Sequence, residues 1–125
     1  MIEIYVGATQ NNLTNMGGWG VVLIEEEDQR SSYKGCEVGA TQNAMILRGA
    51  IEGLSKTDQG CEAEILSNSQ YLVLGINDSR QRRANRKLWD ELEELLGRHH
   101  VQAEYIARHR WLGEAQILAK EATGS

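Results

Sequence analysis

The chain has 125 residues, of which 41% are hydrophobic and 25% charged, and its formal net charge is -5. This length suits one domain, residues 1–125, and the composition is globular rather than disordered. The longest apolar runs are too short to span a membrane, and the first residues lack the basic and apolar regions of a signal peptide. Cys36 and Cys61 have neither a metal-site nor a disulfide-framework spacing. We therefore expect a cytoplasmic protein in which both cysteines are small buried residues.

The charge is unevenly distributed along the chain. Residues 1–75 contain four Lys/Arg and ten Asp/Glu, whereas residues 76–125 contain nine and eight. Residues 76–88 alone contain five basic side chains and one acid, Asp78. This pattern fits an acidic body with one basic segment that meets a polyanion locally, and it equally fits a solvated helix face.

The first part of the chain predicts three strands, over residues 2–6, 19–24 and 30–38. Residues 7–18 are polar and rich in glycine, which predicts a connection, and the acidic run 25–28 predicts a hairpin tip. Because the chain has no proline, its thirteen glycines are expected to supply most turns. Sequential strands with short turns favour an antiparallel meander.

The spacing of apolar residues then changes to that of helices. Thr41 is a candidate N-cap for a helix on which Gly49 and Gly53 are expected to pack closely against the sheet. A short strand over 63–66 follows, then a brief helix from Ser69 to residue 75. A stronger helix over 88–96 is predicted to start near Asn85 and to end at Gly97. A strand over 101–107 and a helix over 113–121 complete the order β-β-β-α-β-α-α-β-α, which predicts an α/β fold with a five-stranded mixed sheet flanked by helices.

Six short motifs lie at the junctions of these elements. In chain order they are IYVGAT at 4–9 followed by GGWG at 17–20, ATQNAMIL at 40–47, LSNSQY at 66–71, LW at 88–89, ARH at 107–109 and AQILA at 115–119. Together they resemble the TDGS and GGxG, TTNNRMEL, TDSQYV, LW, KGH and AD-x-LA motifs of the type 1 ribonuclease H family. The resemblance covers nearly the whole chain and implies the ribonuclease H-like fold.

The resemblance also implies a chemistry that depends on carboxylates. The family cuts the RNA strand of an RNA/DNA hybrid with two divalent metal ions, which oxygen ligands hold in place. The family's ligand positions fall here on Gly7, Ile46, Asn68 and Gln116, with Ile117 as the alternative for the last. None of these residues has a carboxylate, so we expect a degenerate site without a metal.

Other acids are poor substitutes for the missing ligands. Glu3 and Glu64 lie four residues before Gly7 and Asn68 on their strands, which places them roughly 13 Å from the site. Glu114 is the one acid near the last-helix position, and Mg²⁺ or Mn²⁺ would be required only if it supported an altered active site.

Several polar residues match positions that contact nucleic acid in the family. We expect such contacts from Thr9, Thr41, Gln42, Asn43, Gln70 and His109, and from the basic residues Arg80, Arg82, Arg83, Arg86 and Lys87. Helix capping is the alternative for Thr41 and Asn43, and simple solvation is the alternative for Gln70. A surface loop histidine is the alternative for His109.

The aromatic and remaining histidine residues have simpler interpretations. Trp89 is expected in the core, whereas Trp111, in a predicted loop beside Arg110, fits either base stacking or the core. His99 and His100 end a helix and are not expected to bind a metal together.

Three functional hypotheses follow. The first is a catalytically inactive ribonuclease H-like protein that binds RNA/DNA hybrid or duplex RNA. The second is a protein-interaction module, in which Ile46 contributes an apolar patch to the former cleft. The third is an active hybrid ribonuclease with altered metal ligands, including Glu114.

Overall fold

A computed structural model describes residues 1–26 and 29–124. Five strands form one sheet: β1 (Ile2–Asn11), β2 (Met16–Ile24), β3 (Arg30–Val38), β4 (Glu62–Ser67) and β5 (His100–Tyr105), in the order β3-β2-β1-β4-β5. The pairs β3/β2 and β2/β1 are antiparallel, and β1/β4 and β4/β5 are parallel. The predicted mixed sheet, formed by a meander and two parallel crossovers, is confirmed.

Four helices cover the two faces of the sheet. They are α1 (Gln42–Ser55), α2 (Gln70–Asn77), α3 (Arg86–Arg98) and α4 (Arg110–Ala122), with a short 3₁₀ turn at Ser79–Gln81. Helices α1, α2 and α3 enclose the larger core, whereas α4 packs on the opposite face against Tyr5, Val22 and Leu66. No helix in the described part of the chain is long and apolar enough to cross a membrane.

The predicted helix starts follow from local hydrogen bonds. The Oγ1 of Thr41 accepts a hydrogen bond from the backbone N–H of Ala44 at 3.1 Å, and the Oγ of Ser69 accepts one from Leu72 at 3.1 Å. These two caps satisfy backbone donors that the first helical turn leaves unpaired. They also fix the start of α1 and of α2 beside the ends of β1 and β4.

The predicted connection over residues 7–18 is too long, because only residues 12–15 form a turn. Strand β1 continues to Asn11 and β2 begins at Met16. The glycines here serve packing rather than turns: a Cβ on Gly18 or Gly20 would collide with backbone carbonyls of α4. Gly49 and Gly53 pack on the sheet as predicted, since a Cβ on either would lie 2.8 Å from a side chain of β1.

Other local predictions also need correction. Gly97 lies within α3, which ends at Arg98, and β5 ends at Tyr105 rather than at residue 107. Cys36 is exposed on the edge strand β3, and Cys61 is half-buried. Of the predicted hairpin tip, Glu25 and Glu26 are exposed between β2 and β3, while residues 27 and 28 lie outside the described residues.

Candidate nucleic-acid interface

A cleft of ≈ 340 Å³ opens beside the carboxyl ends of β1 and β4. Ligands commonly bind at this edge of a sheet with parallel strands, because the helices and loops that follow the strands diverge there. We call it the amide cleft. Its lining residues are Ala8, Gln42, Asn43, Ile46, Asn68, Ser69, Gln70, Tyr71 and Gln116.

Five of these residues have carboxamide side chains, and none of the described residues lining the cleft has a carboxylate. The Nε2 of Gln116 donates to Oδ1 of Asn68 at 3.3 Å, which links α4 to the end of β4. The Nε2 of Gln42 donates to the carbonyl oxygen of Ala8 at 3.4 Å. Asn43 and Gln70 are exposed at the cleft without such a bond. The lining therefore offers neutral groups that both donate and accept hydrogen bonds.

Three of the four positions that the resemblance assigns to metal ligands line this cleft, and the fourth, Gly7, does not. Ile46 is only 3% exposed, so it forms the floor, and Asn68 and Gln116 form one wall. Gly7 lies behind Gln116, because a Cβ on Gly7 would be 2.9 Å from the backbone nitrogen of Gln116. Ile117 is 58% exposed and is not among the lining residues, so Gln116 is the residue of α4 that faces the cleft.

These donors do not fit a pair of divalent metal ions. Mg²⁺ and Mn²⁺ are held by carboxylates, whose negative charge offsets the repulsion between two dications. Here two amide oxygens, an isoleucine and a glycine stand at the four positions. Among the described residues, no group of three or more His, Cys, Asp or Glu side chains is placed to hold a metal. Glu114 is paired with Arg30 of β3 and does not line the cleft.

A second cleft of ≈ 470 Å³ adjoins the first and shares Gln42 and Asn43 with it. Its remaining lining residues are Gln10, Thr41, Ala84 and Asn85. Ala84 and Asn85 belong to the connection between α2 and α3, so this second cleft joins the amide cleft to residues 80–87, which we call the basic segment. Of the predicted contact residues, Thr41, Gln42, Asn43 and Gln70 therefore lie together along one polar surface.

Two arginines of the basic segment have intramolecular partners. Arg80 forms a bidentate ion pair with Asp78, at 3.1 Å for both bonds, and this arginine lowers the pKa of the Asp78 carboxyl. The Nε of Arg82 donates to the carbonyl of Gly75 at 2.8 Å and its Nη1 donates to Glu93 at 2.6 Å. The Arg82 guanidinium also lies 4.9 Å from the centre of the Trp89 ring. Its geometry therefore favours a structural role, and phosphate contact by Arg82 stays a prediction.

The other three basic residues point to solvent. Arg83, Arg86 and Lys87 are exposed, and none of them forms an ion pair within the described part of the chain. Arg86 and Lys87 occupy the first turn of α3. These three cations are close in the chain to Ala84 and Asn85, which line the second cleft. They are the cations of the basic segment that are available to a polyanion.

Thr9 and His109 lie apart from the two clefts. Thr9 is half-buried on β1 and pairs with Gly18, and it lines neither cleft. His109 is the N-cap of α4: its Nδ1 accepts from the backbone N–H of Trp111 at 3.1 Å. Its ring stacks on Tyr5 with ring centres 4.7 Å apart. Contact of Thr9 or His109 with nucleic acid remains a prediction that this geometry does not favour.

The core position predicted for Trp89 is confirmed, and the core alternative for Trp111 is confirmed in part, because Trp111 packs against the second core cluster. Trp89 is 2% exposed, in the larger core. Trp111 lies in the first turn of α4 rather than in a loop, half-buried, with the guanidinium carbons of Arg30 and Arg110 5.3 and 4.4 Å from its ring centre. His99 is buried and its Nε2 lies 2.9 Å from Oγ1 of Thr57, which gives it a structural environment.

Sequence reasoning missed three residues of this surface: Gln10, Tyr71 and Asn85. The sequence predicts a connection at Gln10, but this residue continues β1 to the edge of the second cleft. For Asn85 the sequence indicates only a helix start. Tyr71 belongs to a motif, but the sequence does not indicate its role, because its contacts are to residues more than ten positions away. The one available signal was the recurrence of Asn and Gln beside predicted strand and helix ends.

A larger groove of ≈ 540 Å³ lies at the opposite edge of the sheet. It is lined by residues near the amino ends of β1, β4 and β5, including Met1, Glu62 and His100. Among the described residues that line this groove, none is Lys or Arg and only Gln102 has an amide side chain. Ligands of sheets with parallel strands bind at the other edge. We therefore place the candidate interface at the amide cleft and the basic segment.

Comparison with known proteins agrees with this architecture. The family model for RNase H matches residues 1–123. The chain is 31% identical to the ribonuclease H of Stutzerimonas stutzeri (strain A1501) over 121 residues, which cover 86% of this chain and 80% of that protein. It is 33% identical to the ribonuclease H of Erythrobacter litoralis (strain HTCC2594) over 137 aligned positions, covering 97% of this chain and 94% of that protein.

Solved structures show the same fold. The N-terminal RNase H domain of a Mycobacterium tuberculosis protein superposes with a TM-score of 0.85 at 22% identity, covering 98% of this chain and 93% of that one. LC11-RNase H1, solved in complex with an RNA/DNA hybrid, gives a TM-score of 0.83 at 18% identity and covers 99% and 97%. Motifs, sheet order and relatives agree, and the chain belongs to the type 1 ribonuclease H family.

Proposed function

We propose that this protein binds RNA/DNA hybrid or other duplex nucleic acid without a divalent metal and without cleaving it. The observation that carries the proposal is the amide cleft, whose described lining has no carboxylate and has Asn68 and Gln116 at two positions where the resemblance implies metal-binding carboxylates. One similar fold, LC11-RNase H1, was solved with an RNA/DNA hybrid, which supports a nucleic-acid partner for this chain as well.

The side chains of the interface suit metal-free binding. A carboxamide NH₂ donates to a phosphate or a 2′-hydroxyl, and the amide oxygen accepts from a 2′-hydroxyl. A neutral lining lets the phosphate backbone approach without the charge repulsion that carboxylates would impose. Arg83, Arg86 and Lys87 then supply the electrostatic part of the affinity, which counterion release makes sensitive to salt.

The packing of α4 supports the absence of catalysis. The backbone of Gln116 lies where a side chain on residue 7 would begin, so a carboxylate at that position would require α4 to move away from β1. The ion pair of Glu114 with Arg30 directs the one remaining candidate ligand toward β3. Both features argue against the hypothesis of an active enzyme with altered ligands.

The protein-interaction hypothesis lacks a supporting surface at the cleft. Ile46 is 3% exposed, and the described residues around it are mainly polar, so it does not present the apolar patch that this hypothesis needs. We therefore favour nucleic acid over a protein as the partner of this face.

The experiment is a fluorescence anisotropy titration of a labelled RNA/DNA hybrid over a range of salt concentrations. Lys87→Ala removes an exposed cation from the first turn of α3, and the matched control Arg98→Ala removes one from the last turn of the same helix. We expect Lys87→Ala to weaken binding and to lower the salt slope by about 1. Arg98→Ala should leave both unchanged.

Two outcomes would contradict the proposal. The first is wild-type protein that binds the hybrid no better than a nonspecific competitor. The second is cleavage of the RNA strand in Mg²⁺ or Mn²⁺, read on a denaturing gel of the same samples. If Glu114→Gln then abolished that cleavage, the active-enzyme hypothesis would replace this one.

A further inference from the structure

The hydroxyl of Tyr71 uses its full hydrogen-bonding capacity on the connection between α2 and α3. It donates to the carbonyl oxygen of Arg83 at 2.5 Å, with the carbonyl of Ala84 a second acceptor at 3.3 Å. It accepts from Nδ2 of Asn85 at 3.1 Å and from Nε1 of Trp89 at 3.0 Å. A phenol offers one donor and two acceptor lone pairs, so the group is satisfied by residues of the basic segment and α3.

The backbone that Tyr71 holds has an uncommon conformation. Ala84 and Asn85 have φ values of 53° and 54°, in the left-handed region that side chains other than glycine rarely adopt. Two such residues in succession persist only where surrounding contacts impose them. Asn85 is the N-cap of α3, yet its side chain makes no capping bond and donates to Tyr71 instead. The N-cap side chain of α3 is therefore bonded to the Tyr71 hydroxyl rather than to the helix backbone.

The other side of the connection is anchored by Arg82. Its guanidinium bonds to Gly75 and Glu93 and lies over the Trp89 ring, which in turn donates to Tyr71. The bonds of Arg82 and Tyr71 hold the backbone of this connection. The side chains of Arg83, Arg86 and Lys87, which follow Arg82 in the chain, remain exposed. Tyr71 itself also lines the amide cleft. One side chain thus joins the cleft to the cations beside it.

We infer that Tyr71 is a positioning residue, which holds Arg83, Arg86 and Lys87 in a fixed relation to the amide cleft so that one nucleic-acid ligand contacts both. The identity of the ligand in this inference rests on the proposed function. The positioning role of Tyr71 rests on its hydrogen bonds within the protein. Preorganised cations bind with less loss of conformational freedom than cations on a mobile segment. Removal of the hydroxyl is therefore expected to weaken binding even though Tyr71 carries no charge.

The test compares Tyr71→Phe with Tyr105→Phe, a control that removes a hydroxyl from an exposed tyrosine at the end of β5. Hydrogen exchange of the free protein reports the basic segment without any ligand. We expect faster exchange in Tyr71→Phe for the backbone amides of residues 89–92, which make the first hydrogen bonds of α3, and no change there in Tyr105→Phe. Unchanged exchange in Tyr71→Phe would overturn the inference, whatever the ligand.

Binding to the labelled RNA/DNA hybrid supplies the second readout. We expect Tyr71→Phe to weaken binding about threefold to tenfold and to lower the salt slope by about 1, since cations that are no longer fixed give up phosphate contacts. Lys87→Ala should cost less affinity in Tyr71→Phe than in the wild type. Faster exchange with unchanged affinity and slope would show a merely structural role and overturn the inference. Wild-type protein that binds no hybrid would overturn the proposed function, while the exchange result would still show whether Tyr71 holds the segment.

Discussion

Gly7 of β1 and Gln116 of α4 are in contact backbone to backbone, with the position of a Cβ on Gly7 only 2.9 Å from the Gln116 nitrogen. The same contact brings the Gln116 side chain to Asn68, to which it donates at 3.3 Å. The absence of a side chain at residue 7 and the amide pair at the end of β4 thus belong to one packing arrangement. A side chain at residue 7 would therefore require α4 to move away from β1.

This contact predicts the effect of adding a single methyl group. Gly7→Ala places a Cβ against the backbone of α4. Because a backbone segment cannot change rotamer to make room, we expect the free energy of unfolding to fall by about 1–3 kcal/mol. Gly113→Ala is the matched control on α4, because a Cβ there meets nothing within 4 Å. It should raise stability by about 0.5–1 kcal/mol. Chemical denaturation measures both, and a neutral Gly7→Ala would contradict the described packing.

A second prediction separates structure from binding within the basic segment. Arg82→Ala removes hydrogen bonds to Gly75 and Glu93, so we expect a loss of about 1–3 kcal/mol in the free energy of unfolding. Arg83→Ala removes an exposed cation and should change stability by no more than about 0.5 kcal/mol, while it weakens hybrid binding. Thermal unfolding and anisotropy on both variants check this, and stability effects in the reverse order would refute it.

A third prediction concerns the charge of the amide cleft. Gln116→Glu keeps the size of the side chain and adds one negative charge to the cleft wall, so we expect about fivefold weaker hybrid binding at low salt. Gln102→Glu makes the same change at the opposite edge of the sheet, beside His100, and should have little effect. Equal affinities of Gln116→Glu and wild type, measured by anisotropy, would remove the cleft from the interface.

A fourth prediction follows from the acidic face of the sheet. Glu3 and Glu64 are register partners on β1 and β4, and burial together with the charges of Glu104 and Glu3 raises the pKa of Glu64. A raised pKa in the folded state means that Glu64 stabilises the fold most when protonated, below its unfolded pKa, and that this contribution is lost as pH rises through the folded pKa. Burial and Glu3 likewise raise the pKa of Tyr5 to about 12.

Glu64→Gln should therefore stabilise the protein near pH 7, by about 0.2–1 kcal/mol, and by less below pH 4.5. Glu62→Gln is the control, since Glu62 is exposed on the same strand and faces His100 rather than an acid. Urea denaturation at the two pH values measures the difference. A larger gain for Glu64→Gln in acid than at neutral pH would contradict the assigned electrostatics.

Much of the fold could be predicted because its signals are local. Thr41 and Ser69 cap helices as their sequence context indicates, and the periodicity of apolar residues gave the correct order of elements. The sequence predicts too short a hairpin of β1 and β2, because Gly17 and Gly18 favour a connection. These glycines instead allow close contact with residues that are distant in the chain, at 40–45 and 119–123, and no local sequence pattern indicates such contacts.

The residues of the site could be predicted only where short sequence motifs mark them. Ile46, Asn68 and Gln116 were identified through motifs, and the structure brings them to one cleft. The partners of Arg82 and Tyr71 were not predictable, because a run of basic residues does not show which guanidinium is already bonded. That distinction depends on how α2 and α3 pack.

The most direct test of metal-free binding is the affinity of the wild-type protein for a labelled RNA/DNA hybrid in Mg²⁺ and in EDTA, at equal ionic strength. The amide cleft predicts the same dissociation constant in both buffers and intact RNA in every sample. Binding that requires Mg²⁺, or RNA that is cut when Mg²⁺ is present, would show that this site holds metal after all.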